Sequence, residues 1–193
     1  MIYYNSRQLS NKLDINLAKW KRWVREFLPP DPLGGMQSGV TRQFNTKDAF
    51  KVYLGGYLVG TLKFTIPDAA TILSDLSPWL KAQGFLKIHA RPALNGADEM
   101  PPYLLFIHPQ PGQQKFFYEL RTLVSTETIA AGTKLLRENC SLIRTDTSEN
   151  PNEIAPIFGF MIAMTTLYAH FLQKLSSTND QSKGGVTDRN GFI

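Results

Sequence analysis

Asn16-Leu17-Ala18-Lys19-Trp20-Lys21-Arg22-Trp23-Val24-Arg25-Glu26-Phe27-Leu28 is the stretch on which the reading of this chain turns. Leu17, Trp20, Val24 and Phe27 recur at intervals of three and four, the spacing of an apolar stripe on one side of a helix, with Trp23 alongside. Lys19, Lys21, Arg22 and Arg25 fall mainly outside that stripe. Asn16 is placed to cap the helix, because a short amide side chain accepts hydrogen bonds from the free N–H groups of a first turn. Pro29-Pro30-Asp31-Pro32 ends it, since proline lacks an N–H and keeps its predecessor extended. The segment predicts a short, capped helix with a buried face and a basic face.

Upstream, Asn5 followed three residues later by Gln8 predicts another helix start, and Leu9 and Leu13 give it a small apolar face. Asp14-Ile15-Asn16 breaks it. Two short helices joined by a tight turn, the second capped and basic, form the helix-turn-helix pattern. Downstream, Leu33-Gly34-Gly35-Met36-Gln37-Ser38-Gly39 reads as a turn, and Val40-Thr41-Arg42-Gln43-Phe44 as a short basic strand, together the shape of a wing. Asn45 with Asp48 begins a third helix carrying Phe50, Tyr53, Leu54, Tyr57 and Leu58, within which Gly55-Gly56 suggests close packing against a neighbour. Thr65 caps a fourth, with Ala69, Ile72, Leu73 and Leu76 as its apolar face.

Charge follows the same segment. Residues 1–51 hold nine Lys and Arg against four Asp and Glu, which accounts for the whole net charge of +5. The remaining residues balance, twelve against twelve. Such asymmetry marks a polyanion-binding surface in the first quarter of the chain.

The 193 residues, 42% of them apolar and 19% charged, suffice for one large domain or two small ones with a true core. Met1–Arg7 offers no apolar run of the kind a signal peptide needs. Cys140 is the only cysteine, so no intrachain disulfide framework is expected, and a reducing, cytoplasmic setting follows. Residues 154–173 carry no Asp, Glu, Lys or Arg, near the length of a membrane span, yet include Pro156, Gly159 and His170. A helix over 153–175, buried in a core or a dimer interface, is the better expectation.

Beyond Gly84 the pattern changes to strands. Leu86, Ile88 and Ala90 alternate with polar residues, Tyr103–Ile107 is a continuous apolar run, and Phe116–Val124 alternates again. A helix is expected over Thr126 to Asn139, and Ser176 to Ile193 is expected to be a disordered tail. The fold class is therefore α+β: an N-terminal winged helix-turn-helix over 1–83, then an antiparallel-sheet domain over 84–175 with a long apolar C-terminal helix.

From Tyr3 to about Leu80 the order of parts resembles the DNA-binding domain of the MerR family of transcription regulators. Tyr4-Asn5-Ser6-Arg7-Gln8-Leu9 is similar to that family's opening helix, and Ile15 through Trp23 to its recognition helix with an aromatic pair. Leu28-Pro29-Pro30 and Ser38-Gly39-Val40-Thr41-Arg42-Gln43-Phe44 resemble the helix exit and the wing, Asn45-Thr46-Lys47-Asp48 and Phe64–Ala69 the starts of two supporting helices. The chain departs from the family after the fourth helix, where strand-like sequence replaces a long dimerising coiled coil. The resemblance implies a duplex-DNA-binding regulator of transcription, dimeric, whose C-terminal part dimerises or meets an effector or protein partner.

A recognition helix enters the major groove N-terminus first, which makes Asn16, Lys19 and Arg22 the candidates for base edges. Lys21, Arg25 and Arg42 are the candidates for phosphates, and Thr41 and Gln43 flank Arg42 in the wing. Basic residues on an amphipathic helix are often only a solvated face; the cap, the wing and the charge together favour the DNA reading for the set. Trp20 is read as core. His89, His108 and His170 lack ligand spacing and are read as structural, and Glu99, Glu119 and Glu138 have no partner that spacing identifies. No catalytic residue, metal or cofactor is assigned. Two other readings stay open: a phage-type architectural, excision or DNA-packaging factor, and a protein-interaction adaptor that uses the winged helix.

Overall fold

The computed structural model describes residues 2–31, 41–86, 100–109, 116–128, 134–143 and 158–177, with the backbone alone over 123–128 and 134–143. Asn5 does two things at the start of the fold. It lies in strand β1 (Tyr4–Asn5) and also caps helix α1 (Ser6–Leu13). Its Oδ1 accepts from the Gln8 N–H at 2.9 Å while the Gln8 Oε1 accepts from its own N–H at 2.9 Å, a reciprocal pair that satisfies two free donors. α1 stops at Asp14, whose φ of 55° and ψ of 49° are left-handed. The turn is then fixed by the Ile15 N–H on the Ser10 carbonyl at 2.9 Å and the Ser10 hydroxyl on the Ile15 carbonyl at 2.6 Å.

Helix α2 (Leu17–Phe27) starts on Asn16 and ends at Leu28, which is extended ahead of Pro29. The expected wing strand is the short β2 (Gln43–Phe44), paired antiparallel with β1, Tyr4 opposite Phe44 and Asn5 opposite Gln43. Thr41 and Arg42 precede it without strand geometry, and the Gly-rich turn at 33–39 lies outside the described residues. Helix α3 (Thr46–Gly60) is capped by Asn45, and helix α4 (Ile66–Ala82) by Thr65. Both caps stand where the sequence puts them.

Strands β3 (Tyr103–Pro109), β4 (Phe116–Thr128), β5 (Lys134–Ile143) and β6 (Phe160–Ala163) form an antiparallel sheet in the order β5-β4-β3-β6. Helix α5 (Met164–Ser176) follows β6 without a break. The described chain is thus α+β, with five helices and two antiparallel sheets.

Three expectations are corrected. Where the chain is described, the helix expected over 126–139 is replaced by strand: β4 runs on to Thr128 and β5 pairs with it from Lys134, while 129–133 lie outside the described residues. Pairing that satisfies every second backbone group along a long hairpin overrides a weak local helix preference. Of the helix expected over 153–175 only Met164 onward is helical among the described residues, because Phe160–Ala163 pairs with β3 (Leu105 opposite Ile162), and 153–157 lie outside the described residues. Leu86 lies in a turn after α4, and the rest of the alternating stretch at 87–90 lies outside the described residues. No helix among the described residues is long and apolar enough to cross a membrane.

One face of the sheet is buried through Leu105, Ile107, Phe116, Tyr118, Leu120 and Ile162, alternate residues as the two-residue strand period requires. Phe64, between α3 and α4, packs against this face through Phe160 at 4.6 Å and Phe116 at 5.7 Å between ring centroids. Tyr118 reaches α4 and donates to the Asp75 carboxylate at 2.6 Å. Burial, with this hydrogen bond second, raises its pKa well above the usual tyrosine value, so it remains a donor. α5 inserts Tyr168 and Phe171 beside Phe50 of α3, centroids 4.7 and 5.2 Å away, and Phe85 closes the cluster 5.3 Å from Tyr168. Phe50, Phe85 and Phe171 are fully buried, each a gain of about 1.5–3 kcal/mol over exposure.

Candidate nucleic-acid interface

The two tryptophans of α2 fix which way its basic face looks. Trp20, Trp23, Val24 and Phe27 are buried, and Trp20 meets Phe44 of β2 edge to face at 6.0 Å. That contact ties the strand pair to α2. Ala18, Lys19, Lys21, Arg22, Arg25 and Glu26 are exposed on the other side.

Between the exposed side of α2 and the β1–β2 pair lies an open groove of about 710 Å³, lined among others by Lys21, Arg25 and Arg42 with Ser6 of α1. Three of the predicted residues therefore converge, although Arg42 is seventeen or more positions from the other two. The Arg42 guanidinium carbon stands 5.4 Å from the Phe44 ring centroid, a cation–π contact that helps to hold it. Among the described residues no carboxylate is paired with Lys21, Arg22, Arg25 or Arg42. Asp31 lines the same groove, so its three cations outweigh one carboxylate and the groove keeps an excess of positive charge for an anion. Phosphates are the anions that such a spread of cations suits.

The other predicted residues are placed differently. Arg22 is exposed on α2 without lining the groove. Lys19 lies over Trp23, its Nζ 5.7 Å from the ring centroid. Asn16 stands at the start of α2, but its Oδ1 accepts from the Ala18 N–H at 2.9 Å and the Lys19 N–H at 3.3 Å. A two-bond contact with adenine needs that same oxygen, so the cap restricts Asn16 to what its NH₂ can donate. Gln43 is exposed and donates from Nε2 to the Thr41 carbonyl at 3.4 Å, and Thr41 is exposed beside it.

Two features escaped the sequence reading. β1 is one, a two-residue strand hidden in front of a helix cap. The other lies on the sheet, where Glu119 accepts from the Arg121 Nε at 2.7 Å and stands 3.6 Å from the His108 Nε2, beyond hydrogen-bond reach. His108 Nδ1 is 3.2 Å from the Phe158 carbonyl, and the Arg121 guanidinium covers Phe106 at 4.8 Å. The β3–β4 register creates this cluster, with Phe106 opposite Glu119. Among the described residues no group of His, Cys, Asp or Glu is arranged to hold a metal ion.

No protein-family model, curated protein or solved structure matches the chain.

Proposed function

We propose that the N-terminal unit is a MerR-like winged helix-turn-helix that reads duplex DNA in a sequence-specific way, and that the protein regulates transcription as a homodimer in the cytoplasm. The observation that carries this reading is the convergence of Lys21, Arg25 and Arg42, outweighing the carboxylate of Asp31, on one groove beside a capped helix with a buried apolar face. In this reading α2 lies in the major groove with Arg22 and Lys19 towards the bases. Lys21, Arg25 and Arg42 hold the flanking phosphates. Two-fold symmetry would set two such helices on half-sites about 34 Å apart or a multiple of that.

Selection of bound genomic fragments, followed by mobility shift on the selected duplex, tests the proposal. Arg22→Ala combined with Arg42→Ala should abolish specific binding while the circular dichroism spectrum is kept. Undiminished binding by that variant would sink the residue assignment. Arg25→Ala alone should lower the slope of log affinity against log salt by about 1 per protomer. Promoter-proximal fragments agree with a regulator, whereas attachment or packaging sites would move the reading to an architectural, excision or packaging factor. Failure to retain any duplex at low salt would leave the protein-interaction adaptor.

A further inference from the structure

α1 and α5 meet at their C-terminal ends, and each supplies the lysine that caps the other. Lys12, in the last turn of α1, donates from Nζ to the Leu175 carbonyl at 2.9 Å and the Ser177 carbonyl at 2.8 Å. Lys174, in the last turn of α5, donates to the Leu13 carbonyl at 3.1 Å. The last carbonyls of a helix have no partner within it and form the negative end of its dipole. Two such ends side by side repel, and an ammonium group from each side turns that repulsion into charge-assisted bonding.

The opposite ends of these helices are also engaged. At the start of α5 the Thr165 hydroxyl accepts from the Tyr103 N–H of β3 at 3.0 Å and donates to the Pro101 carbonyl at 2.7 Å. At the start of α1 Ser6 lines the basic groove. The eight residues of α1 span about 12 Å at the helical rise, so the lysine pair sits one short helix away from the groove. A continuous run of bonded elements therefore leads from the sheet, through α5 and α1, to the basic face.

We infer that Lys12 and Lys174 are positioning residues: α5 serves as the fifth helix of the N-terminal unit and fixes the placement of α1, and with it the α1–α2 pair. The effect on DNA rests on the function proposed above; the effect on α1 does not.

The experiment compares the full-length protein with two double variants, Lys12→Met with Lys174→Met and Lys12→Arg with Lys174→Arg. Hydrogen exchange is read over every helix, and affinity is measured for the selected duplex and for a scrambled one. In the Met variant, exchange in α1 and the last turn of α5 should rise about tenfold or more, with α3 and α4 unchanged. Its preference for the selected duplex should fall about fivefold with no change in salt slope, because the phosphate contacts remain. The Arg variant, which keeps charge and donors, should restore both. Unchanged exchange in α1 overturns the inference, and so does raised exchange with an unchanged duplex preference, since the lysines would then be structural only. If the unaltered protein binds no duplex, the DNA reading fails, and the exchange measurement still decides whether α5 fixes α1. Should the double variant unfold, Lys174→Met alone, which keeps both Lys12 bonds, gives the same reading on the last turn of α1.

Discussion

Asn16 faces two demands, one from the helix it starts and one, in the function proposed above, from duplex DNA, and the two can be separated. Aspartate at this position keeps an oxygen for the Ala18 and Lys19 N–H groups. It also adds a negative charge at the positive end of α2, worth about 0.3–1 kcal/mol in favour of the fold. The same carboxylate has no hydrogen to donate to a base and repels phosphates. Asn16→Asp should therefore hold or raise the melting temperature while weakening duplex binding, measured by thermal unfolding and mobility shift. Full affinity in that variant would remove Asn16 from the interface. At this scale the sequence is highly legible. Asn5, Asn16, Asn45 and Thr65 cap the helices the sequence predicts, because a cap is a bond between a side chain and an N–H two or three residues away. Glu119 beside His108 is not legible, since only the register of a hairpin brings those two together.

Among the elements, α3 shows how a locally poor choice becomes a packing requirement. Gly55 and Gly56 weaken a helix on propensity alone, and alanine at either would ordinarily gain about 1 kcal/mol. Here a methyl group on Gly56 would overlap the Trp23 ring, and one on Gly55 would stand 2.5 Å from the Phe27 Cδ2 and 2.9 Å from the Leu73 Cδ1. Trp23 is only 7% exposed and has little room to yield. Overpacking of this kind costs about 1–3 kcal/mol, which outweighs the propensity gain. Gly56→Ala should lower the urea midpoint. A rise would mean that α2 can move away from α3, contrary to the contact described. The expectation of close packing at Gly55-Gly56 came from sequence, but the partner did not. The helix expected over 126–139 shows the opposite case. Its local pattern is ambiguous, and pairing with β4 decides the outcome.

Across the whole molecule, the aromatic cluster joins residues from both ends of the chain. Phe171 lies 5.2 Å from Phe50 and 5.3 Å from Tyr53 of α3, and it is fully buried. Phe171→Ala should cost about 3–5 kcal/mol. Because α5 touches both the helices and the sheet, near- and far-ultraviolet circular dichroism should lose their signals in one transition at a lower temperature. Two separated transitions would instead show that residues 1–83 and 84–175 unfold independently. What the sequence determined by itself is whatever rests on neighbours along the chain: the caps, the apolar stripe of α2, the proline that ends it, and the basic charge confined to the first 51 residues. Tertiary structure alone decided the pairing of β1 with β2, the gathering of Arg42 with Lys21 and Arg25, and the seating of α5 on α1. Each of these joins residues far apart in sequence, where no periodicity reaches and only complementary packing and unsatisfied backbone groups select the partner.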